Sequence, residues 1–545
     1  MMTSTLLKIG RQVALFMLLA GAAAQAPAEE PARVDQALLG SLATGDMTSK
    51  LDVISQLGRV PDPMAATVLE ALSSASLFAD PQGRILIRIA AAQARDPATG
   101  ETLALPENAT AVLVNNRLRR AVTDALAASQ LFSEQASVRL AAATRMQRRD
   151  DGTHLALIEQ ALERESSPQV RAALETARAS QMLGGEDPET RIQAIQALGG
   201  ARDASFRPRL ALLLDKDDSG AHAEPDERVR AAAAEALEQI DAHLTRIEWA
   251  GNLFYGLSLG SVLLLAALGL AITFGLMGVI NMAHGELLMI GAYVTYLMQL
   301  GFRQFAPLWM DWYVIAALPA AFVVTALVGM ALERTVIRWL YGRPLETLLA
   351  TWGISLILMQ GVRTLFGAQN VEVGNPGWMS GGVTVLGGLV LSHNRIAIIV
   401  FALSTVAFVW FLLNHTRLGL FVRAITQDRR MADCVGVPTG RIDMFAFGLG
   451  SGIAGLGGVA LSQLGNVGPD LGRGYLVDSF MVVVLGGVGQ LAGTVIAAFG
   501  LGGINKLMEP YTGAVMAKIM ILTLIVLFVQ KRPQGLFAAR GRSME

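Results

Sequence analysis

Three side chains that can do chemistry stand within six residues of one another in the string Gly278-Val279-Ile280-Asn281-Met282-Ala283-His284-Gly285-Glu286: the amide of Asn281, the imidazole of His284 and the carboxylate of Glu286. They interrupt a stretch that is otherwise apolar, where polar groups are costly and carry function by default. One histidine and one carboxylate make a poor catalytic set, and the chain has neither an HExxH spacing nor a pair of aspartates in an apolar stretch. It also lacks the GxxxxGK[ST] phosphate loop, so it does not bind and hydrolyse ATP by that device. A single cysteine, Cys434, excludes an intrachain disulfide and a cysteine-held zinc or iron–sulfur centre. Asn281, His284, Thr351, Ser355, Gln490 and Thr494 offer amides, hydroxyls and an imidazole, and the bare backbone of Gly486, Gly487 and Gly489 adds carbonyls and N–H groups. No catalytic residue, metal or cofactor is expected.

The elements that must position these groups are set by two solvents. Of 545 residues, 52% are hydrophobic and 16% charged, with a positive mean hydropathy, which implies a bilayer. Before Trp249 there are 26 basic and 33 acidic residues; from Trp249 onward there are 18 and 12. The first part therefore reads as water-soluble and the second as lipid-embedded. Trp249 to Ala283 carries no charge, and apolar stretches follow at 287–302, 313–332, 347–362, 396–414, 444–469, 479–505 and 510–530, about eight membrane segments in all. Twelve basic residues concentrate in three places: Arg334, Arg338 and Arg343; Arg417, Arg423, Arg429, Arg430 and Arg441; and Lys531, Arg532, Arg540 and Arg542. The alternate loops, 303–312, 367–394 and 465–478, hold only Arg303 and Arg473. Positive loops stay in the cytoplasm, so Trp249 starts outside and the C-terminus ends inside. For the parity to close, 479–508 must enter and leave from the outside. Its glycines permit a broken or re-entrant hairpin lining a pathway, or close helix packing. The run Gly448 to Gly458 is expected to serve packing alone. Arg363, Lys506 and Lys518 are expected to snorkel to water.

At the N-terminus, Lys8 and Arg11 precede an apolar run, Val13 to Ala24, too short to span a bilayer. It reads as a signal peptide, residues 1–24, with Ala22 and Ala24 spaced for cleavage. The domain 25–245 is thereby exported to the periplasm, in agreement with the charge rule. It is rich in Ala, Leu, Arg and Glu at helical spacing, and a degenerate unit recurs at Val138-Arg139, Val170-Arg171, Thr190-Arg191 and Val229-Arg230. The starts Asp187 and Asp226 lie 39 residues apart, a period that resembles HEAT repeats. Ile85-Leu86-Ile87 and Thr102 to Leu105 are expected to form a small hairpin. His154, His222 and His243 read as solvated.

The Asn281 string is similar to the first-helix signature of the branched-chain amino-acid type ABC transporter permeases. The resemblance continues through Thr351-Trp352-Gly353-Ile354-Ser355, Arg423-Ala424-Ile425-Thr426-Gln427-Asp428, Gly436-Val437-Pro438, Val484 to Gly489 and Arg532-Pro533-Gln534-Gly535-Leu536-Phe537, covering nearly all of 250–540. An exported domain of this size departs from the general pattern and resembles the urea permeases of that family. The resemblance implies an all-α fold: a polytopic transmembrane helical permease, 246–545, behind a HEAT-like α-helical periplasmic domain. It implies a transport protein of the bacterial inner membrane and not an enzyme, translocating urea. The alternatives are a branched-chain amino acid or short-chain amide permease, or, in another class, a membrane receptor or anchor with an exported sensor domain. Implied partners are a second permease subunit, two cytoplasmic ABC ATPase subunits, a periplasmic substrate-binding protein and membrane lipid, with no nucleic acid. Implied roles are a substrate pathway through Asn281, His284, Gly285, Glu286, Thr351, Ser355, Gly486, Gly487, Gly489, Gln490 and Thr494, and ATPase coupling through Arg423, Ala424, Gln427, Asp428, Gly436, Val437 and Pro438.

Overall fold

The computed structural model describes residues 36–537 apart from 60–62, 91–92, 107, 149–153, 217–219 and 386. The expected signal peptide, 1–24, lies outside the described residues, as do Arg540 and Arg542. The chain divides into two units after His243.

In the first unit α1 (Gln36–Thr44), α2 (Met47–Arg59) and α3 (Pro63–Ser73) precede five short strands: β1 (Leu77–Ala79), β2 (Ile85–Ala90), β3 (Gln93–Arg95), β4 (Thr102–Ala104) and β5 (Thr110–Ala111). They form one antiparallel sheet in the order β4-β3-β2-β1-β5. The expected hairpin is thereby corrected, because β2 pairs with β1 and β3 while β4 pairs only with β3. Sequence alone exposed β2 and β4 and missed β1, β3 and β5, which with two or three residues each are too short to show a period-2 pattern. The chain is predominantly helical and not all-α. Leu57, Leu69, Ile85 and, from α4 (Asn116–Gln130), Val122 form the core around the sheet.

Next come α5 (Ala136–Met146), α6 (Leu155–Arg164), α7 (Pro168–Met182), α8 (Pro188–Ala201) and the single turn-and-a-half α9 (Arg207–Leu212). The recurring arginine has a physical role here. Arg139 donates to the carbonyls of Ser133 and Glu134 at 2.8 and 2.9 Å, Arg171 to that of Glu165 at 2.5 Å, and Arg230 to those of Glu224 and Pro225 at 2.8 Å each. Each arginine thus satisfies loop carbonyls just ahead of its own helix, groups that no backbone donor there reaches. The glutamates are shared with the preceding unit, through Arg139–Glu165 at 2.7 Å and Arg191–Glu224 at 3.1 Å. Hydrogen bonding from the Arg139 guanidinium holds the Glu165 carboxyl below the usual carboxylate range. His154 is half-buried at the start of α6, His222 is exposed, and no group of His, Cys, Asp or Glu among the described residues is placed to hold a metal.

Where sequence suggested a junction near residue 245, one helix, α10 (Glu227–Met277), runs through it unbroken. Residues 227–248 are nearly all strong helix formers with no glycine or proline, so nothing stops the helix before the apolar stretch begins. The second unit continues with α11 (His284–Phe305), α12 (Tyr313–Thr335), α13 (Pro344–Phe366), the hairpin β6 (Gly382–Val385) and β7 (Leu389–Ser392), α14 (His393–His415), α15 (Arg417–Gln427), α16 (Arg429–Cys434), α17 (Thr439–Ser462), α18 (Leu471–Gly486), α19 (Leu491–Thr512) and α20 (Ala514–Lys531). Seven helices among the described residues are long and apolar enough to cross a membrane.

The hub is α17, packed on α10, α11 and α12 through the glycine run. A Cβ at Gly450 would fall 2.7 Å from the carbonyl of Gly269, at Gly455 2.2 Å from Thr325 Oγ1, and at Gly458 2.0 Å from the carbonyl of Leu288. Small residues let helix backbones meet where lipid gives no hydrophobic drive to associate. Loop contacts sort into two ends. At one, Asp311 accepts from Gly377 N–H at 2.6 Å, Val371 pairs with Val467, and Arg363 pairs with Asp470 at 2.9 Å. These join the three loops poor in basic residues. At the other, Tyr341 lies against Arg429, while Leu536 N–H bonds Leu485 O at 2.8 Å. Arg363, Lys506 and Lys518 do not simply reach for water: each has a carboxylate, Asp470, Glu509 and Asp478 respectively.

Candidate functional site

The break between α10 and α11 doubles the chain back. His284 Nε2 lies 2.7 Å from the carbonyl of Ala266, eleven residues and about 16 Å of helix before Met277. Six extended residues can retrace that distance. Helix α11 therefore begins beside the middle of α10's apolar stretch. The local sequence explains the arrangement. Gly278 takes φ +65°, a left-handed turn that ends α10, and Asn281 Oδ1 accepts Ala283 N–H at 3.0 Å. Non-helical backbone inside an apolar bundle needs internal partners. Met282 N–H finds one in Thr351 Oγ1 at 3.1 Å, and the Thr351 hydroxyl in turn donates to Thr347 O at 2.8 Å. Ser355, one turn along α13, donates to Glu286 Oε1 at 2.7 Å. Gly285 meets Gly472 of α18 backbone to backbone, a Cβ there falling 2.7 Å from the Gly472 carbonyl.

The structure thus brings Asn281, His284, Gly285, Glu286, Thr351 and Ser355 together around the break, and all six are buried. Three of their polar atoms lack a partner: Asn281 Nδ2, His284 Nδ1 and Glu286 Oε2. Thr351→Val keeps the shape and removes the acceptor for Met282 N–H. The expected result is a loss of about 1–3 kcal/mol, read as a lowered thermal midpoint of the detergent-solubilised protein.

The rest of the expected pathway set lies elsewhere. Gly487 and Gly489 take φ +99° and +79° in the turn between α18 and α19. That turn sits against the segment 534–537, with a Cβ at Gly487 falling 2.3 Å from Phe537 O. The pair α18 and α19 is therefore a helical hairpin whose turn reaches the basic end of the bundle, not a segment turning at mid-depth. Gly486 serves packing against Gly493, where a Cβ would meet Gly493 C at 2.5 Å. Thr494 is buried, with its hydroxyl bonded to Gln490 O of its own turn at 3.0 Å. Gly489 and Gln490 line a cavity of about 480 Å³ together with Gly275, Asn414, Arg423 and Gln427. They belong with the 415–442 loop, not with Asn281 and Glu286.

That loop holds two short helices, α15 and α16. Asp428 divides them, its carboxylate accepting Met431 N–H at 3.0 Å as the cap of α16. Arg423, Gln427, Asp428, Arg430, Gly436 and Pro438 are exposed; Ala424 is half-buried, and Val437 is buried with Ile425, Ala432 and Ile442. Gly436 closes α16 at φ +87°. Sequence reasoning missed two exposed apolar side chains, Met431 and Val435, which stand out from this polar loop at 63% and 76% exposure. The string Gly256-Leu257-Ser258-Leu259-Gly260 has the spacing of a nucleophile elbow, but it lies within α10. Its glycines receive Gly503 and Phe499, and Ser258 is buried with its hydroxyl 3.3 Å from Arg395 Nη1.

Among the described residues the second unit is thus a bundle of long apolar helices, interrupted at 278–283, with buried polar side chains at the interruption. The family model described as branched-chain amino acid transport system, permease component, matches residues 252–529. The chain belongs to that family, the permeases of ABC importers. It is 28% identical over 296 residues, 52% of this chain and 94% of the relative, to the high-affinity branched-chain amino acid transport system permease protein LivH of Salmonella typhimurium. It is 29% identical over 294 residues, again 52% and 94%, to the corresponding protein BraD of Pseudomonas aeruginosa. A stretch of 134 residues, 23% of this chain and 42% of the relative, is 30% identical to the ribose import permease protein RbsC of Escherichia coli. No solved structure matches.

Proposed function

We propose that this inner-membrane permease carries urea, in complex with a second permease subunit, two cytoplasmic ATPases and a periplasmic substrate-binding protein. One observation carries the reading. The site at the break buries a free amide N–H donor on Asn281 and a free carboxylate acceptor on Glu286, while no Lys or Arg among the described residues is buried. Urea is planar and uncharged, with one carbonyl acceptor and four N–H donors, and needs both kinds of group without a fixed cation. The exported helical extension, HEAT-like by its period, supports the same choice because it resembles that of the urea permeases. Cells carrying the full set of subunits should accumulate labelled urea at low external concentration, and should stop doing so when the ATPases are inactivated.

A second reading has its own support. The positive end of the α11 dipole lies beside the middle of the apolar stretch and favours an anion, and Glu286 favours a cation. Together they suit the zwitterionic end of an amino acid, the cargo named for LivH and BraD.

The exposed face of α15 and α16, with Arg423, Gln427 and Arg430 around Met431 and Val435, is read as the ATPase-docking surface. The residues 25–245 are read as periplasmic. In a Cys434→Ser background, single cysteines at exposed positions of that domain should react with impermeant maleimide once the outer membrane alone is opened. Cysteines at 430 or 435 should react only after the inner membrane is opened, and the reverse order would invert the topology.

A further inference from the structure

A second buried polar cluster, separate from the site at the break, sits where the ATPase-facing loop meets the bundle. Glu333, near the end of α12, accepts the Tyr341 hydroxyl at 2.9 Å, and that hydroxyl lies 3.3 Å from the sulfur of Met277, the last residue before the break. Arg429, the first residue of α16, stands with its guanidinium carbon 4.8 Å from the centre of the Tyr341 ring. The same guanidinium is ion-paired with Asp443, fully buried on the hub helix α17. Beneath them Val279, Ile337 and Phe447 form an apolar floor that includes Met277 and Tyr341. Arg429 therefore touches, directly or through Tyr341, both the hub helix and the end of α10 from which the break departs. Glu333 Oε2 and Asp443 Oδ1 are buried without partners; Asp443 is paired with Arg429, while Glu333 also feels the charges of Arg334 and Arg338 near its own end of α12. Withdrawing the Arg429 cation leaves a buried carboxyl on Asp443 without its partner, which is strongly unfavourable. A displacement of α16 must then carry Asp443 and Tyr341 with it or break a costly pair.

We propose that Arg429 is a positioning residue that links movement of α16 to the break at 278–283, through its ion pair with Asp443 and its contact with Tyr341. The link rests on the reading of the 415–442 loop as ATPase-facing. Motion imposed on α16 is passed to α17 and to Met277 as a body movement, and resets the backbone around Asn281 and Glu286.

The test places a cysteine at Met282, half-buried in the break, in the Cys434→Ser protein assembled with its ATPases, and compares maleimide labelling with and without ATP. With Arg429 intact, ATP should change the labelling rate at least several-fold. Arg429→Ala alone leaves Asp443 uncompensated and is prone to misfold, so the decisive variant is Arg429→Ala with Asp443→Asn, which removes both charges. It should still assemble with the ATPases and permit ATP hydrolysis, yet show no ATP-dependent change at 282. Arg429→Lys should restore part of the change, and Tyr341→Ala should weaken it without affecting assembly. ATP-dependent labelling of the double variant equal to that of the unsubstituted protein would overturn the proposal, as would loss of ATPase binding in the double variant, which would make Arg429 a docking residue. Failure of the protein with Arg429 intact to bind ATPases would instead count against the reading of the loop.

Discussion

Gly458→Ala is expected to eliminate folded protein from the membrane, whereas Gly361→Ala leaves its amount unchanged or slightly raised. Both glycines lie inside apolar helices, and both substitutions add one methyl group. At Gly458 the new Cβ would sit 2.0 Å from the carbonyl oxygen of Leu288 and 2.7 Å from Ala292 N, both backbone atoms of α11. No rotamer change relieves such a contact, so α11 and α17 must separate along their length. Overpacking ordinarily costs about 1–3 kcal/mol, and a clash with backbone at the hub exceeds that range. Separation would also disturb Gly455, whose Cβ would meet Thr325 Oγ1 at 2.2 Å on α12. At Gly361 nothing lies within 4 Å, so only the helix preference for alanine remains, about 1 kcal/mol in its favour. Size-exclusion profiles in mild detergent check the pair. A monodisperse peak of normal height for Gly458→Ala would show that the hub packing is looser than these distances require.

The second large effect concerns Glu286. Its Oε1 is held by Ser355 and its Oε2 is free and buried, so the side chain is fixed by one oxygen and presents the other. Glu286→Ala should leave assembly with the ATPases intact and raise the half-saturating urea concentration by roughly 10–100-fold. That is the loss expected for a hydrogen bond to a charged group, about 1.5–3 kcal/mol, at about 1.4 kcal/mol per tenfold. Glu286→Gln keeps the contact with Ser355 but offers an N–H where urea also offers N–H, so it should be impaired nearly as much. Thr351→Val, which touches the backbone and not the solute, should lower stability with little effect on the half-saturating concentration. Equal transport constants for Glu286→Ala and the unsubstituted protein would place the solute elsewhere.

Much of this was legible in the chain because it depends on local pattern. The interrupted apolar run at 278–286 marks the break, the glycine spacing from 448 to 458 marks a packing helix, and the basic loops mark one end of the bundle. What was not legible depends on partners distant in sequence. Sequence alone suggests that the glycines at 486–489 line the pathway, since bare backbone in an apolar segment suits one, but segment 534–537 packs onto them and no local signal says so. Arg429 and Arg430 look alike as markers of the cytoplasmic side and both are exposed, yet Arg429 pairs with Asp443 fourteen residues on. Nothing local to Glu333 and Tyr341 shows that Met277 is brought against them, 64 residues from Tyr341 along the chain. The return of His284 to Ala266 is of the same kind: the composition predicts an interruption, and only packing fixes its depth.

The urea reading is tested most directly with the purified complex in proteoliposomes, binding protein added outside and ATP supplied to the ATPase side, by measuring uptake of labelled urea and labelled leucine in competition. Urea should accumulate against its gradient only with ATP, a hundredfold excess of leucine should leave that uptake unchanged, and Glu286→Ala should raise its half-saturating concentration. Leucine accumulation that urea does not compete with, and no accumulation of urea, would contradict the assignment and favour a branched-chain amino acid permease carrying an N-terminal extension of other purpose.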